Sequence, residues 1–221
     1  MGFGGIPAMG LIKFRGILSV WKGRVIPRNA VPWSDHWTVR TAAIAAHLRW
    51  IGPDSLMLVG DSLFELVPPH PLEGLKVVNA GFGGATAANV YASIASSVVM
   101  SALKANPPAK AVIQAGTNDS KTGADPVAVA EKTMAICSLF RSIGAEPIVF
   151  AIPPIEEKKT AFRSASVASA INDATRQACV RSGVPFIDPY VAIRGSNDVT
   201  EDGIHLARGA VVALVDAIRA A

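Results

Sequence analysis

From residue 55 onward the chain alternates between short apolar runs and longer helical stretches. Five runs read as strands: "SLMLVG" (55–60), "LKVVNA" (75–80), "KAVIQAG" (110–116), "EPIVFAI" (146–152) and "VPFID" (184–188). Between and after them, residues 86–104, 126–143, 161–182 and 207–220 read as helices. Pro126 suits a first helical turn with Asp125 ahead of it as cap. "RSIGAEP" and "RSGVPFID" each put a glycine just past a helix and a proline at the edge of the next strand. Strands joined through helices of this length predict βαβ units and a parallel sheet covered on both faces.

Such sheets bind ligands outside the carboxyl ends of their strands. The polar residues here cluster where that rule points. Gly60-Asp61-Ser62 follows the first strand, "NAGFGGAT" (79–86) closes the second, and "AGTNDS" (115–120) closes the third. "EDGIHL" (201–206) follows the last strand and precedes the final helix. Each turn alone has a bland explanation. Ser62 by itself reads as a helix N-cap, Gly81 and Gly83 as backbone freedom, and Asn118 as an Asx-turn in "GTND". Four such turns at one sheet edge are a different matter.

A serine hydroxyl needs an adjacent base, itself oriented by a third group, to act as a nucleophile. Of four histidines, His36 and His47 lie in the first 50 residues and His70 in the loop "VPPHP"; only His205 falls at the carboxyl edge. Asp202, three residues earlier, can hold its ring. Acyl transfer further needs donors for a developing oxyanion, for which the N–H groups of Ser62 and Gly84 and the Asn118 amide are placed. Asp188 in "FIDPY" is a second candidate carboxylate.

Together these blocks resemble the SGNH (GDSL-type) hydrolase family: "GDSL" at 60–63, "NAGFGG" at 79–84, "GTND" at 116–119 and "DGIH" at 202–205, in the family's order. The resemblance implies an α/β fold, a three-layer α/β/α sandwich with a central parallel sheet of about five strands. It implies Ser62 as nucleophile, His205 as base and then acid, and Asp202 as its orienting carboxylate. Ser62, Gly84 and Asn118 would form the oxyanion hole, and Asp61 would hold the turn. No metal or organic cofactor is implied. The stretch "WSDHW", followed by a helix and "PDSLMLVGDS", looks like the branch of platelet-activating-factor acetylhydrolase catalytic subunits.

The first 50 residues carry a different composition. They hold all four tryptophans (Trp21, Trp33, Trp37, Trp50) and seven Lys/Arg against one acid, so their net charge is +6 while the rest of the chain carries −2. A disordered tail would not concentrate tryptophan. This segment is expected to pack on a hydrolase domain of residues 51–221, with 35–50 helical behind an Asp35 cap, or to join copies of the chain in a homo-oligomer. Nucleic acid is not an expected partner, because the body has no stripe of aromatics among lysines. With no apolar run of bilayer length, no signal-peptide pattern and two isolated cysteines, a soluble cytoplasmic protein without stable membrane insertion is the expectation.

The function expected is hydrolysis of small-molecule acyl esters, short-chain or acetyl, through an acyl-enzyme. Sugar acetates, short lipid esters and thioesters all fit. Phe64, Leu66 and Ile155 are expected to line the pockets, which the loop "LFELVPPHPLEGL" and the segment "AIPPIEEKKTAF" border with walls stiffened by their prolines. Acyl transfer on the same scaffold and a non-catalytic binding module are the alternatives. A dinucleotide site at "VVNAGFGGAT" fails, because Thr86 stands where Gly or Ala belongs and no acid follows about 20 residues on.

Overall fold

The computed structural model describes residues 33–221. Five parallel strands form one sheet in the order β2-β1-β3-β4-β5: β1 Leu56–Gly60, β2 Val77–Gly81, β3 Lys110–Gln114, β4 Glu146–Phe150 and β5 Phe186–Ile187. The helices are α1 Trp33–Ile51, α2 Ser62–Glu65, α3 Ala87–Ile94, α4 Ser97–Ala105, α5 Pro126–Ser142, α6 Ala165–Ser182 and α7 Arg208–Ala220. A 3-10 turn at His70–Leu72 interrupts the loop after α2.

Alternate strand residues divide between the faces. Leu58, Val112, Ile148 and Phe150 pack with α2 and with Leu214, Val215 and Ile218 of α7 in one cluster. On the other side α5 packs on α6, α3, β3 and β4, and Ala87, Val129, Ala168 and Ile171 meet in a second cluster. The chain is therefore the expected three-layer α/β/α sandwich. Pro147 sits inside β4 without breaking the sheet, since β5 pairs only with Val149 and Phe150 and asks for no N–H at Pro147.

Several boundaries differ from expectation. The strands are shorter than the apolar runs, β5 by the most. The helix expected over 86–104 is two helices, because the Ser96 side chain accepts from Val99 N–H and caps a new start. The one expected from 161 begins at Ala165, where Ser164 accepts from Val167 N–H. Asp125 and Pro126 open α5 as expected, with the Asp125 carboxylate accepting from Val127 N–H. Helix α1 begins at Trp33, so Asp35 lies in its first turn rather than ahead of it.

Residues 39–221 form a compact unit that holds all five described strands and the later part of α1, with Ile44, Ala45 and Leu48 buried. The readings placed on Trp21 and on contacts through residues 1–32 lie outside the described residues.

Candidate active site

Strand β1 ends at Gly60 because a side chain there has no room: a Cβ would stand 2.3 Å from the Gln114 carbonyl oxygen. Gly81, its partner in β2, is tighter still, with a Cβ 2.1 Å from the Glu65 backbone nitrogen. These contacts seat the first turn of α2 directly on the sheet edge. Asp61 caps that turn, its Oδ1 accepting from Leu63 N–H at 3.0 Å. Ser62 is the first residue of α2, so its N–H has no carbonyl four residues back.

Burial raises the Asp61 carboxyl to about 6, against the pull of the Leu63 N–H, the Thr117 hydroxyl and His205. Its charge is held at a cost in solvation.

Ser62 Oγ lies 2.9 Å from His205 Nε2, and His205 Nδ1 lies 2.8 Å from Asp202 Oδ2. With the ring proton on Nδ1 donated to Asp202, Nε2 is free to accept from Ser62. The other Asp202 oxygen accepts from the N–H groups of Ile204 (3.0 Å) and His205 (2.8 Å). Partial burial raises the Asp202 carboxyl, but the hydrogen bonds from His205 and Ile204 outweigh it and hold it below the ordinary carboxylate range. Ser62 and His205 are 143 residues apart in sequence, so only the fold could bring them together. Asp188 is elsewhere engaged: its carboxylate accepts from Arg194 Nε at 2.6 Å and from Tyr190 N–H at 3.0 Å.

Gly84 and Asn118, the residues expected to donate to an oxyanion, lie at the ends of the turns after β2 and β3. Gly84 has φ +73°, a conformation side chains resist, and is exposed at the edge. Asn118 does not make the Asx-turn. Its Nδ2 donates to the Ala85 carbonyl (3.1 Å) and its Oδ1 accepts from Arg163 (2.8 Å), which leaves the second Nδ2 proton for a ligand. Asp119 Oδ2 accepts from Ala87 N–H at 2.9 Å and ties β3's end to the start of α3.

Three supporting groups were not legible beforehand. Arg163 orients the Asn118 amide. Glu65 accepts from Gly83 N–H, next to Gly84. Arg40 of α1 donates to the Gly81 and Asn79 carbonyls, each at 3.0 Å, and stands 3.7 Å from the Glu65 carboxylate. None belongs to a local pattern; each matters through a neighbour 18 to 45 residues away.

The family model of the GDSL-like lipase/acylhydrolase family matches residues 59–208, more than half of the chain. The chain belongs to that family. No curated protein matches the sequence. Among solved structures, the GDSL-like chain is similar to the lipase/acylhydrolase from Enterococcus faecalis (20% identity, 75% of this chain and 94% of that one, TM-score 0.61). It is similar to a Streptococcus pneumonia protein that carries the name of platelet activating factor (19%, 97% and 99%, 0.63). A third is Est24, a carbohydrate acetylesterase from Sinorhizobium meliloti (18%, 74% and 95%, 0.58). At these identities the likeness is one of fold.

Of the residues expected to line pockets, Phe64 is fully buried in the core instead. Leu66 lines a cavity of about 80 Å³ with Leu63, His205 and Leu206. Ile155 borders a separate cavity of about 570 Å³ with Glu156 and Asp198. Among the described residues no group of three His, Cys, Asp or Glu could hold a metal, and no helix is long and apolar enough to cross a membrane.

Proposed function

We propose that this GDSL family member is a serine ester hydrolase for small acyl esters, short-chain or acetyl, working through an acyl-enzyme. The observation that carries the reading is the unbroken chain from Ser62 to His205 to Asp202, at 2.9 and 2.8 Å. A binding module has no use for that alignment.

In this mechanism His205 Nε2 takes the proton as Ser62 Oγ attacks the ester carbonyl, and Asp202 stabilises the imidazolium that forms. The oxyanion rests on the Ser62 and Gly84 N–H groups and the free Asn118 proton. His205 then protonates the departing alcohol, and water enters to release the acyl group by the reverse steps. The cavity of about 80 Å³ flanked by Leu63 and His205 has room for about two or three water-sized groups. That size supports a short acyl chain. An apolar groove of about 790 Å³ shares Leu206 and Val211 with it and runs past Pro68 and His70, where the rest of an ester could lie. The named activity of Est24 makes carbohydrate acetates the first natural esters to try.

The test is hydrolysis of p-nitrophenyl esters from acetyl to octanoyl by wild type and Ser62→Ala. We expect an optimum at the short end and a loss in Ser62→Ala on the order of 10⁶-fold in kcat. A folded Ser62→Ala variant with wild-type turnover would sink the mechanism.

A further inference from the structure

The base half of the site stands on a stretch without regular structure. Between β5 and α7 the chain runs some 20 residues with only an isolated pairing of Thr200 with Leu206. Asp202 gains no rigidity from burial, since its side chain is 53% exposed. Its hydrogen bonds all fall within its own turn. Something else must hold that turn against Ser62.

Glu156 is the group in place to do so. It follows β4 by six residues, on an arm made stiff by Pro153 and Pro154. Its side chain is only 14% exposed. The carboxylate accepts from the N–H groups of Asp198 and Thr200, each at 2.7 Å, and from the Thr200 hydroxyl. The Thr200 oxygen in turn accepts from Gly203 N–H at 3.1 Å, and Glu156 N–H donates to the Gly203 carbonyl at 3.0 Å. Lys159 closes the clamp, donating to the Thr200 carbonyl (2.7 Å) and pairing with Asp198 (3.0 Å). Gly203 lies between Asp202 and His205, so the clamp grips the catalytic turn from both sides of Asp202.

We propose that Glu156 is a positioning residue that, through Thr200 and Gly203, sets the distance of His205 from Ser62. It touches no substrate and acts only through the turn. The effect on rate rests on the hydrolase reading above; the effect on the Asp202–His205 pair does not. The charged groups facing the clamp are Lys159 and Asp198, and those facing His205 are Asp202 and Asp61.

Three variants test it: Glu156→Gln, Thr200→Val, which removes the relaying hydroxyl in a similar volume, and Thr200→Ser, which restores it. Each is measured for ester kcat and KM across pH, and for the low-field proton resonance of His205 Nδ1–H, which needs no substrate. Glu156→Gln and Thr200→Val should lower kcat by about 10²-fold with KM little changed, the scale of a small misplacement of reacting groups. Their acidic rate limb should move to lower pH and the resonance should broaden or vanish, because the Asp202 charge no longer sits squarely on the ring. Thr200→Ser should resemble wild type in all three. Should Glu156→Gln not fold, Thr200→Val carries the same test. Folded variants that keep the wild-type resonance and acidic limb overturn the proposal. An inactive wild type with a sharp resonance that Thr200→Val abolishes would instead count against the hydrolase reading and leave the clamp standing.

Discussion

The two halves of the proposed active site are held by different physics. The oxyanion half grows out of the ends of β1, β2 and β3, where Gly60 and Gly81 bring backbones into direct contact and Asn118 is 9% exposed. Steric fit sets the strand ends, and Arg163 on the Asn118 amide and Glu65 on Gly83 N–H add charged contacts to it. The base half hangs on the irregular stretch before α7, with Asp202 about half in solvent. The Asp202 turn is fixed by the Glu156 carboxylate, which accepts from Thr200 N–H, and by Lys159, which donates to the Thr200 carbonyl. Close packing leaves few alternatives, whereas charged anchors answer to pH and to single-atom changes. Substitutions in the two halves should therefore fail in distinguishable ways.

Of the substitutions that separate the two halves, the one with the largest effect belongs to the base half. Asp202→Asn keeps the size of the side chain but faces His205 Nδ1 with an amide that no longer fixes the tautomer. We expect kcat to fall about 10⁴-fold, with the folded structure intact by circular dichroism. The oxyanion half should lose less for its side-chain donor. Asn118→Ala removes one of three donors and should cost roughly 10²–10³-fold in kcat. Its KM for p-nitrophenyl acetate should stay near wild type, since the donor serves the transition state. An Asn118→Ala loss larger than that of Asp202→Asn would reverse the comparison.

What could be read from the sequence follows the same division. The strand ends announced themselves, because Gly-Asp-Ser, Gly-Phe-Gly-Gly and Gly-Thr-Asn-Asp each interrupt an apolar run at a point where a parallel sheet binds ligands. Asp202 and His205 were legible as a pair only because three residues separate them. Glu156, Arg163 and Arg40 were not legible. A glutamate among lysines in "IEEKKT" looks like solvated surface, and nothing local distinguishes Glu156, which is clamped, from Glu157 beside it, which is exposed. The break between α3 and α4 is hidden in the sequence for a related reason. "SIASSVV" keeps its apolar spacing, and the break depends on Ser96 turning its side chain onto Val99 N–H rather than outward. Phe64, two residues past Ser62, reads in the sequence as part of a pocket wall. The short helix α2 turns it inward, where it meets Phe150 with ring centroids 6.5 Å apart.

The smallest effect is on stability, and it sets the buried Asp61 of one half against the half-buried Glu156 of the other. Asp61 is raised to about 6 by burial, so the folded protein binds its proton more tightly than the unfolded chain does. Its contribution is least unfavourable below the ordinary carboxylate range near 4, and stability is lost as pH rises from there through 6. Above pH 6 the cost is of order 3 kcal/mol. Glu156 has the opposite sign. The Thr200 hydroxyl, with the Asp198 and Thr200 N–H groups and Lys159, lowers it to about 2 against some burial, so its support is present above the ordinary range and lost as pH falls toward 2. Asp61→Asn keeps an acceptor for Leu63 N–H and removes the buried charge. It should raise neutral-pH stability by about 1–3 kcal/mol and flatten the dependence between pH 4 and 6 in urea titrations. Glu156→Gln should lower stability at the same pH. If both variants shift stability in one direction at pH 7, the contrast between the halves fails. If Asp61→Asn is more stable yet slower, the charge beside His205 is kept for catalysis at the expense of the fold.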